Sequence, residues 1–326
     1  MRLRLVPQQT NFDFFKYARA TFGASIVAVI ASIAIWLSVG LNFGIDFLGG
    51  TTIRTDSSVV VDVGEYRAAL DPLNLGDVVI SEVFDPTFDD DQFVATVRIQ
   101  AQEGAEAVTP EVITAIQAAL RDAIDPDMTF PSIESVGPKV SGELIQTAVI
   151  AVLASLGAIL VYIWLRFEWQ FSVGAVAALI HDVILTIGVF SLFQIRFDLA
   201  TIAALLTIVG YSINDTVVIF DRLRENLIKY KQRALRDVMN LSANETLSRT
   251  LVTSGTTLIA LIALLVLGGD VIRGFVFAIA WGVVVGTYSS IYVAKNVVLM
   301  IGVKRDWSKP SDGGGASGTQ FANIDA

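Results

Sequence analysis

Six long apolar stretches constrain this chain more than any other feature of its sequence. A helix needs roughly 20 apolar residues to cross a bilayer. The stretches that meet this length are Thr21–Leu41, Leu144–Leu165, Phe171–Ile195, Leu199–Phe220, Thr246–Leu267 and Gly274–Ala294. We therefore predict an all-α membrane bundle of six transmembrane helices, five of them within residues 144–303. The first apolar run is too long for a signal peptide and lacks a small-residue cleavage site after it, so we expect a permanent anchor.

The composition excludes several classes of protein. Hydrophobic residues make up 53% of the 326 positions and charged residues 17%, whereas about a quarter of a soluble domain is charged. The chain has no cysteine and one histidine, which excludes disulfides, cysteine-ligated zinc, iron–sulfur clusters and a histidine-rich metal site. The sequence has no Walker A motif and no recognisable nucleophile, so we expect neither an enzyme nor a cofactor.

The charges are distributed unevenly. The segment Asp46–Glu143 holds 19 acidic and five basic residues, while the whole chain carries −9, so the remainder is net positive. Basic residues cluster in segments 1–20 and 304–326 and in residues 221–245, which lie on one side of a six-span protein. The positive-inside rule assigns that side to the cytoplasm. We therefore expect both termini inside, residues 42–143 outside, and no affinity for nucleic acid.

The outer segment, residues 42–143, has the patterns of a soluble α+β domain. Helices are predicted at Glu65–Leu70 and after Thr109, which precedes a proline in the first helical position. Strands are predicted at Thr51–Val63, Val78–Phe84, Phe93–Ile99 and Phe130–Val136. The resulting order, β-α-β-β-α-β, is typical of a ferredoxin-like domain. We interpret its acidic residues as a solvated surface, with a surface for basic or unfolded polypeptide as the alternative.

Ionisable groups occur within the predicted spans. An ionisable group at mid-bilayer costs about 2.5–3.5 kcal/mol on insertion scales, so such groups normally face the bundle interior or water. His181 and Asp182 fall near the middle of the third span, Asn214 and Asp215 lie on the fourth, and Arg249 opens the fifth. Because spans four and five are antiparallel, we expect Asp215 and Arg249 at similar depth, either as a structural ion pair or as a proton relay. The other three are either further relay groups or a polar lock, hidden from lipid by a partner chain.

Two local patterns refine the bundle. Ser242-x-x-Glu245 predicts a capping box at the start of the fifth helix. Gly282-x-x-x-Gly286 in the sixth predicts close helix–helix approach. The Gly- and Ser-rich residues 304–326 predict a disordered cytoplasmic tail.

Five motifs in this plan resemble those of a known family. Phe43–Thr51, which contains Gly44, Asp46, Gly49 and Gly50, is similar to the motif that opens the SecD/SecF export proteins. The other matching blocks are Ser135–Leu144 (with Gly137 and Pro138), Ala178–Val183, Gly210–Asn226 and Arg249–Thr257. One span, an outer domain and five further spans make up half of the twelve-span plan of the RND superfamily. The single short outer domain favours the SecF branch.

The resemblance implies a function and partners. It implies an auxiliary subunit of the bacterial Sec translocase in the inner membrane, which pairs with SecD, often with YajC, beside the SecYEG channel. Such a subunit uses the proton gradient, with protons as the coupling ion, to promote late steps of export of unfolded polypeptides. The family's relay residues fall on Asp215 and Arg249. Two alternatives remain open: an RND-type exporter of small molecules or lipid, and a scaffold that pumps nothing.

Overall fold

The computed structural model of the protein describes residues 10–303, except residues 77, 86–87, 90 and 101–107. The predicted disordered tail, residues 304–326, and the first nine residues lie outside the described residues. Within the described part, six helices are long and apolar enough to cross a membrane, as the sequence predicts. Helix is the predominant secondary structure.

The chain begins with the first membrane helix and a short connection. Helix α1 spans Ala18–Val39 and is followed by strand β1 (Asn42–Phe43) and the short helix α2 (Ile45–Leu48). β1 pairs in parallel with β6 (Arg196–Phe197), which lies far along the chain between two membrane helices. This two-stranded pair ties the beginning of the outer domain to one end of the membrane bundle.

The domain predicted to lie outside the membrane, named the outer domain for that prediction, follows as a four-stranded sheet with two helices. Its elements in chain order are β2 (Gly50–Ser57), α3 (Val63–Leu70), β3 (Val78–Val83), β4 (Phe93–Gln100), α4 (Pro110–Ala123) and β5 (Thr129–Val136). The strands are antiparallel in the order β3-β4-β2-β5. Ile53 on the central strand β2 lies opposite Val97 and Ile133. Ile53, Val97, Tyr66 and Leu120 are buried, so one sheet face and the two helices share a core.

The remaining membrane helices follow without another large domain. They are α5 (Pro138–Arg166), α6 (Trp169–Phe193), α7 (Leu199–Lys229), α8 (Leu235–Leu267), α9 (Asp270–Ser289) and α10 (Lys295–Ile301), with a π-helical turn at Ser290–Ala294 between the last two. Helices α6, α7 and α9 with α10 are the most buried, whereas α1, α5 and α8 have few buried residues. The bundle therefore has a central layer of three spans and a periphery open to lipid or to a partner.

The basic segment between the fourth and fifth spans is mostly helical. We predicted a loop over residues 221–245, but α7 continues to Lys229 and α8 begins at Leu235. The extension is stabilised across the two antiparallel helices. Arg222 Nε donates to Glu245 Oε2 at 2.6 Å, and Asn226 Nδ2 donates to the same atom at 2.7 Å.

The predicted capping box at Ser242 and Glu245 is wrong for the same reason. Both residues lie inside α8, where Ser242 Oγ donates to the Val238 carbonyl at 2.8 Å. A capping box does occur at the start of α7, where Asp198 accepts from the Thr201 backbone N–H at 2.9 Å. Ser242 and Glu245 have the spacing of a capping box, but both accept hydrogen bonds from Asn226 of α7 and neither caps the start of a helix.

Helices α7 and α9 approach closely at two glycines of α9, as predicted. A Cβ placed on Gly282 would lie 2.3 Å from Ile208 Cγ1, and one on Gly286 would lie 3.0 Å from Ser212 Cβ. We expect Gly282→Ala to lower the Tm of the chain in detergent, because the branched Ile208 must move, at a cost of about 1–3 kcal/mol. The matched control is Gly255→Ala on α8, since no atom lies within 4 Å of that position. An unchanged Tm for Gly282→Ala would contradict the close approach.

The acid stability of the outer domain depends on Asp125. Its carboxylate accepts hydrogen bonds from Ser57 Oγ at 2.8 Å, from the Ser58 N–H at 3.0 Å and from the Asp127 N–H at 2.9 Å. These bonds, led by that from Ser57, lower the pKa of Asp125 to about 2. Because the folded-state pKa is depressed, the contribution is complete above the unfolded pKa of about 3.9. It is lost as the pH falls towards 2.

This linkage predicts a pH-dependent difference between two proteins. Asp125→Asn should lower the Tm of the full chain above pH 4, and the difference from wild type should shrink steadily as the pH falls from 4 to 2. The measurement is thermal unfolding of the outer domain within the detergent-solubilised chain between pH 2 and 6. Asp122→Asn, an exposed carboxylate on α4, is the control and should leave the Tm unchanged. A constant difference across this range would exclude the linkage.

Candidate functional site

The centre of the membrane bundle holds a buried carboxylate with three partners. Asp182 on α6 is fully buried. Its Oδ2 accepts hydrogen bonds from Ser212 Oγ of α7 at 2.6 Å and from Ser289 Oγ of α9 at 2.8 Å. Its Oδ1 lies 2.9 Å from Nδ1 of the neighbouring His181. One side chain thus joins the three central helices, and the bonds to both of its oxygens offset the cost of burying a polar group.

Only one ring nitrogen of His181, Nδ1, has a hydrogen-bond partner among the described residues. His181 is buried and its ring lies 6.2 Å from that of Tyr288, stacked at 28°. Its Nε2 has no hydrogen-bond partner among the described residues. A buried ring nitrogen without a partner can bond to a water molecule or to a polar group brought near by a helix movement. The geometry fits both interpretations made from the sequence, a relay group and a polar lock.

A second buried carboxylate, that of Asp215, lies on α7 about one helical turn after Ser212. Asp215 is 3% exposed and accepts a hydrogen bond from Ser254 Oγ of α8 at 3.4 Å. Ser254 Oγ in turn lies 2.7 Å from Thr287 Oγ1 of α9. Asp215 therefore has one long hydrogen bond, whereas Asp182 has three short contacts.

Arg249 and Asn214 lie outside this buried polar cluster. Both side chains are exposed on the surface of the chain. No ion pair within 4.0 Å joins Arg249 to Asp215 in the described structure, although the two lie on neighbouring antiparallel helices. Asn214 makes no hydrogen bond to another described residue. These two positions are therefore open to lipid or a partner. The expectation that a partner chain hides the polar residues is wrong for His181, Asp182 and Asp215, which are buried within this chain alone.

Reasoning from the sequence missed the hydroxyl groups that complete the cluster. Ser212, Ser254, Thr287 and Ser289 contact the two carboxylates directly or through one another. Beside them, Thr216 Oγ1 lies 2.8 Å from Ser290 Oγ, at the beginning of the π-helical turn. Each hydroxyl is unremarkable in sequence, since Ser and Thr are common at membrane helix contacts. A π-turn is often found at functional sites, but no sequence pattern signals it.

The glycine-rich motif after α1 connects the outer domain to the bundle. Asp46 Oδ2 accepts the backbone N–H of Leu199 at 3.0 Å, at the first residue of α7. Gly49 and Gly50 have φ angles of 72° and 124°, which an L-residue with a side chain rarely adopts. At Gly44, an added Cβ would lie 3.2 Å from Arg196 Nε. The motif thus links the start of β2 to the helix that carries Asp215.

The second motif begins the helix that returns to the membrane. Gly137 is the N-cap of α5 and Pro138 occupies the first turn, where proline is pre-organised for a helix. Near this point Ser141 Oγ donates to the Ile45 carbonyl at 3.4 Å. The two family motifs therefore meet at the junction of the outer domain and the bundle.

The described residues contain no group of three or more His, Cys, Asp or Glu side chains that could hold a metal ion.

Comparison with known proteins identifies the family. The family described as "Protein export membrane protein SecD/SecF, C-terminal" matches residues 115–304, and "SecD/SecF GG Motif" matches residues 34–56. The chain belongs to the SecD/SecF family. Among curated SecD/SecF relatives, "Protein translocase subunit SecF" of Cereibacter sphaeroides is 65% identical over 100% of this chain and 99% of its own length. The protein of the same name from Rhodobacter capsulatus is 63% identical, with 98% of both chains covered.

Solved SecDF structures have the same fold. The SecDF structure from Thermus thermophilus, described as a translocon-associated membrane protein, covers 91% of this chain at 36% identity with a TM-score of 0.81. A SecDF structure in a "Super-membrane-facing form" covers the same share at 37% identity with a TM-score of 0.66. This chain spans 39% of the length of those SecDF chains. It therefore matches one part of each of those longer SecDF polypeptides. Its six apolar helices and its family make it a multi-pass membrane protein.

Proposed function

We propose that this chain is an auxiliary subunit of the bacterial protein translocase that uses the proton gradient, together with SecD, to promote late steps of export across the inner membrane. The observation that carries the proposal is 65% identity, over the full length of the chain, to a protein named as the SecF translocase subunit. It is a transport subunit rather than an enzyme, with protons as its coupling ion and no cofactor.

The proposed orientation places both termini in the cytoplasm and residues 42–143 in the periplasm, as a ferredoxin-like domain. The strand order β3-β4-β2-β5 supports the domain assignment. The excess of basic residues on the opposite side of the spans supports the orientation. A single cysteine introduced at Asp89 should be labelled from the periplasmic side by a membrane-impermeant maleimide. Labelling only after the membrane is opened would show that the orientation is the opposite one.

Asp215 is the proposed proton carrier, and Arg249 sets its affinity for the proton. A carboxylate buried in the bundle and held by one long bond to Ser254 can take up a proton with little rearrangement. The exposed guanidinium of Arg249 lies on the helix that supplies Ser254 and would approach the carboxylate if α8 turned or shifted. His181 and Asp182 form a second protonatable pair whose dense bonding favours a lock, and Asn214 lies on the outer face.

SecD is the proposed partner on the peripheral helices. The apolar surfaces of α1, α5 and α8 are largely exposed, and a second six-span half would complete the twelve-span unit. This chain matches 39% of each SecDF polypeptide, and the remaining length is sufficient for a second six-span half. SecYEG, YajC and the unfolded exported polypeptide are further proposed partners.

The test is export into membrane vesicles. Inverted vesicles with SecYEG and SecD, prepared with and without this chain, are given a secretory precursor and ATP, and a proton gradient is imposed or collapsed. We expect the gradient to increase the yield of protected precursor only when both SecD and this chain are present. Equal stimulation in vesicles that lack the chain would refute the proposed function.

A further inference from the structure

A hollow of about 490 Å³ lies at the end of the bundle opposite the outer domain. It is formed where α1 begins, α8 begins and α10 ends, and its walls include Lys16, Tyr17, Arg19, Arg236 and Leu299. The proton-coupling site does not use these residues. The volume is within the range of pockets that bind small ligands.

The wall of the hollow is strongly basic. Lys16 and Arg19 are exposed, and neither forms an ion pair in the described part of the chain. The Lys16 Nζ lies 5.3 Å from the centre of the Tyr17 ring. Arg236 pairs with Asp13 at 3.6 Å, and both side chains are about half exposed. Three cations therefore face the hollow against one paired carboxylate, which leaves it net positive.

A buried lysine lies behind this wall. Lys295 is completely buried, and its Nζ has no hydrogen-bond partner among the described residues. It lies 4.7 Å from the ring centre of Phe14 and 5.1 Å from that of Phe15. Phe15 also lines the hollow and contacts Arg236, whose Cζ is 5.9 Å from the ring centre. A buried amine without a partner is costly to charge, so Lys295 is not counted among the cations of the hollow.

The position of the hollow favours a lipid over a free anion. It lies where the first apolar span starts, beside the exposed aromatic ring of Tyr17, and aromatic residues concentrate at this level of a membrane. Leu299 belongs to its wall, and the next residue, Met300, is 74% exposed. On α1, Ile26 and Val27 continue an exposed apolar surface into the span. A headgroup in the hollow would leave its acyl chains against these residues.

We propose that this hollow binds the phosphodiester headgroup of an anionic phospholipid from the leaflet opposite the outer domain. Arg19, Lys16 and Arg236 contact the phosphate oxygens. Basic pockets between membrane helices are suited to such headgroups, and each Lys or Arg near the surface contributes roughly a fivefold increase in affinity.

The test is lipid binding to the purified full chain. Native mass spectrometry from a neutral detergent measures the affinity for phosphatidylglycerol and for phosphatidylcholine. We expect tighter binding of phosphatidylglycerol, with about a 25-fold loss in the double variant Arg19→Gln and Arg236→Gln, at roughly fivefold for each cation. The charge-conserving variant with lysine at both positions should retain most of the binding.

The controls separate this site from general charge and from misfolding. The double variant Arg224→Gln and Lys229→Gln removes two exposed cations at the end of α7, outside the hollow. A loss there equal to that of the Arg19 and Arg236 variant would overturn the proposal, as would equal affinity for both lipids. Displacement of phosphatidylglycerol by millimolar inorganic phosphate would replace the lipid with a free anion as the occupant. The Tm of each variant without added lipid shows whether it is folded, and the assay does not depend on export activity.

Discussion

Asp215→Asn is expected to abolish the stimulation of protein export by a proton gradient while leaving the chain folded and bound to SecD. Asparagine keeps the size of the side chain and still accepts the bond from Ser254 Oγ, but it cannot exchange a proton. A membrane potential provides about 2.3 kcal/mol per charge per 100 mV, which can bias a two-state element by more than tenfold. That whole bias is expected to disappear when the carboxyl group cannot titrate.

Arg249 provides the second half of this experiment. Because its side chain is exposed and forms no ion pair with Asp215 in the described structure, Arg249→Met should leave the Tm in detergent unchanged. It should nevertheless reduce gradient-driven export, since the carboxyl group loses the cation that promotes proton release. Asp221→Asn is the matched control. Asp221 lies on α7, the helix that carries Asp215. Its carboxylate is partly exposed and lies 3.7 Å from Arg166, and its loss should have little effect on export.

The scaffold interpretation predicts a different outcome. If the pair only holds helices together, the single variants should lose stability or SecD binding, and a matched apolar pair at both positions should restore export. Full gradient-dependent stimulation by vesicles carrying Asp215→Asn would end the relay hypothesis.

Asp182→Ala is expected to cause the largest loss of stability of any single substitution in the bundle. It leaves the hydroxyls of Ser212 and Ser289 and one nitrogen of His181 without their partner. Breaking a buried charged network by removing one member costs about 3–5 kcal/mol. We expect a large drop of the Tm in detergent, together with poor accumulation in the membrane.

Asp182→Asn distinguishes a lock from a relay at this position. The amide oxygen can accept both serine hydroxyls, and the amide nitrogen can donate to His181 if the imidazole carries its proton on Nε2. The variant should therefore retain most of the stability lost in Asp182→Ala. If it also retains gradient-driven export, Asp182 is a lock. If export loses its response to the gradient while the Tm is preserved, Asp182 carries protons as well.

The elements that follow from local chemistry could be predicted from the sequence. The six spans are set by apolar length, and the strand and helix order of the outer domain follows from alternation and helical spacing, so neither needs knowledge of distant contacts. The burial of His181, Asp182 and Asp215 inside the bundle follows from the cost of exposing an ionisable group to lipid. The family motifs at Gly44–Gly50 and Gly137–Pro138 were likewise recognisable from residues alone.

Only the tertiary structure decided which polar groups meet. Nothing at Ser212, Ser254 or Ser289 distinguishes them from other hydroxyls until α6, α7, α8 and α9 are packed together. Ser242 and Glu245 read as a helix start because the local pattern is correct, yet their partner is Asn226 on the preceding helix. Spacing along a helix fixes the depth of a side chain, whereas its direction around the axis relative to neighbouring helices depends on packing. For that physical reason the sequence placed Asp215 and Arg249 at one level, and the fold buried the first and exposed the second.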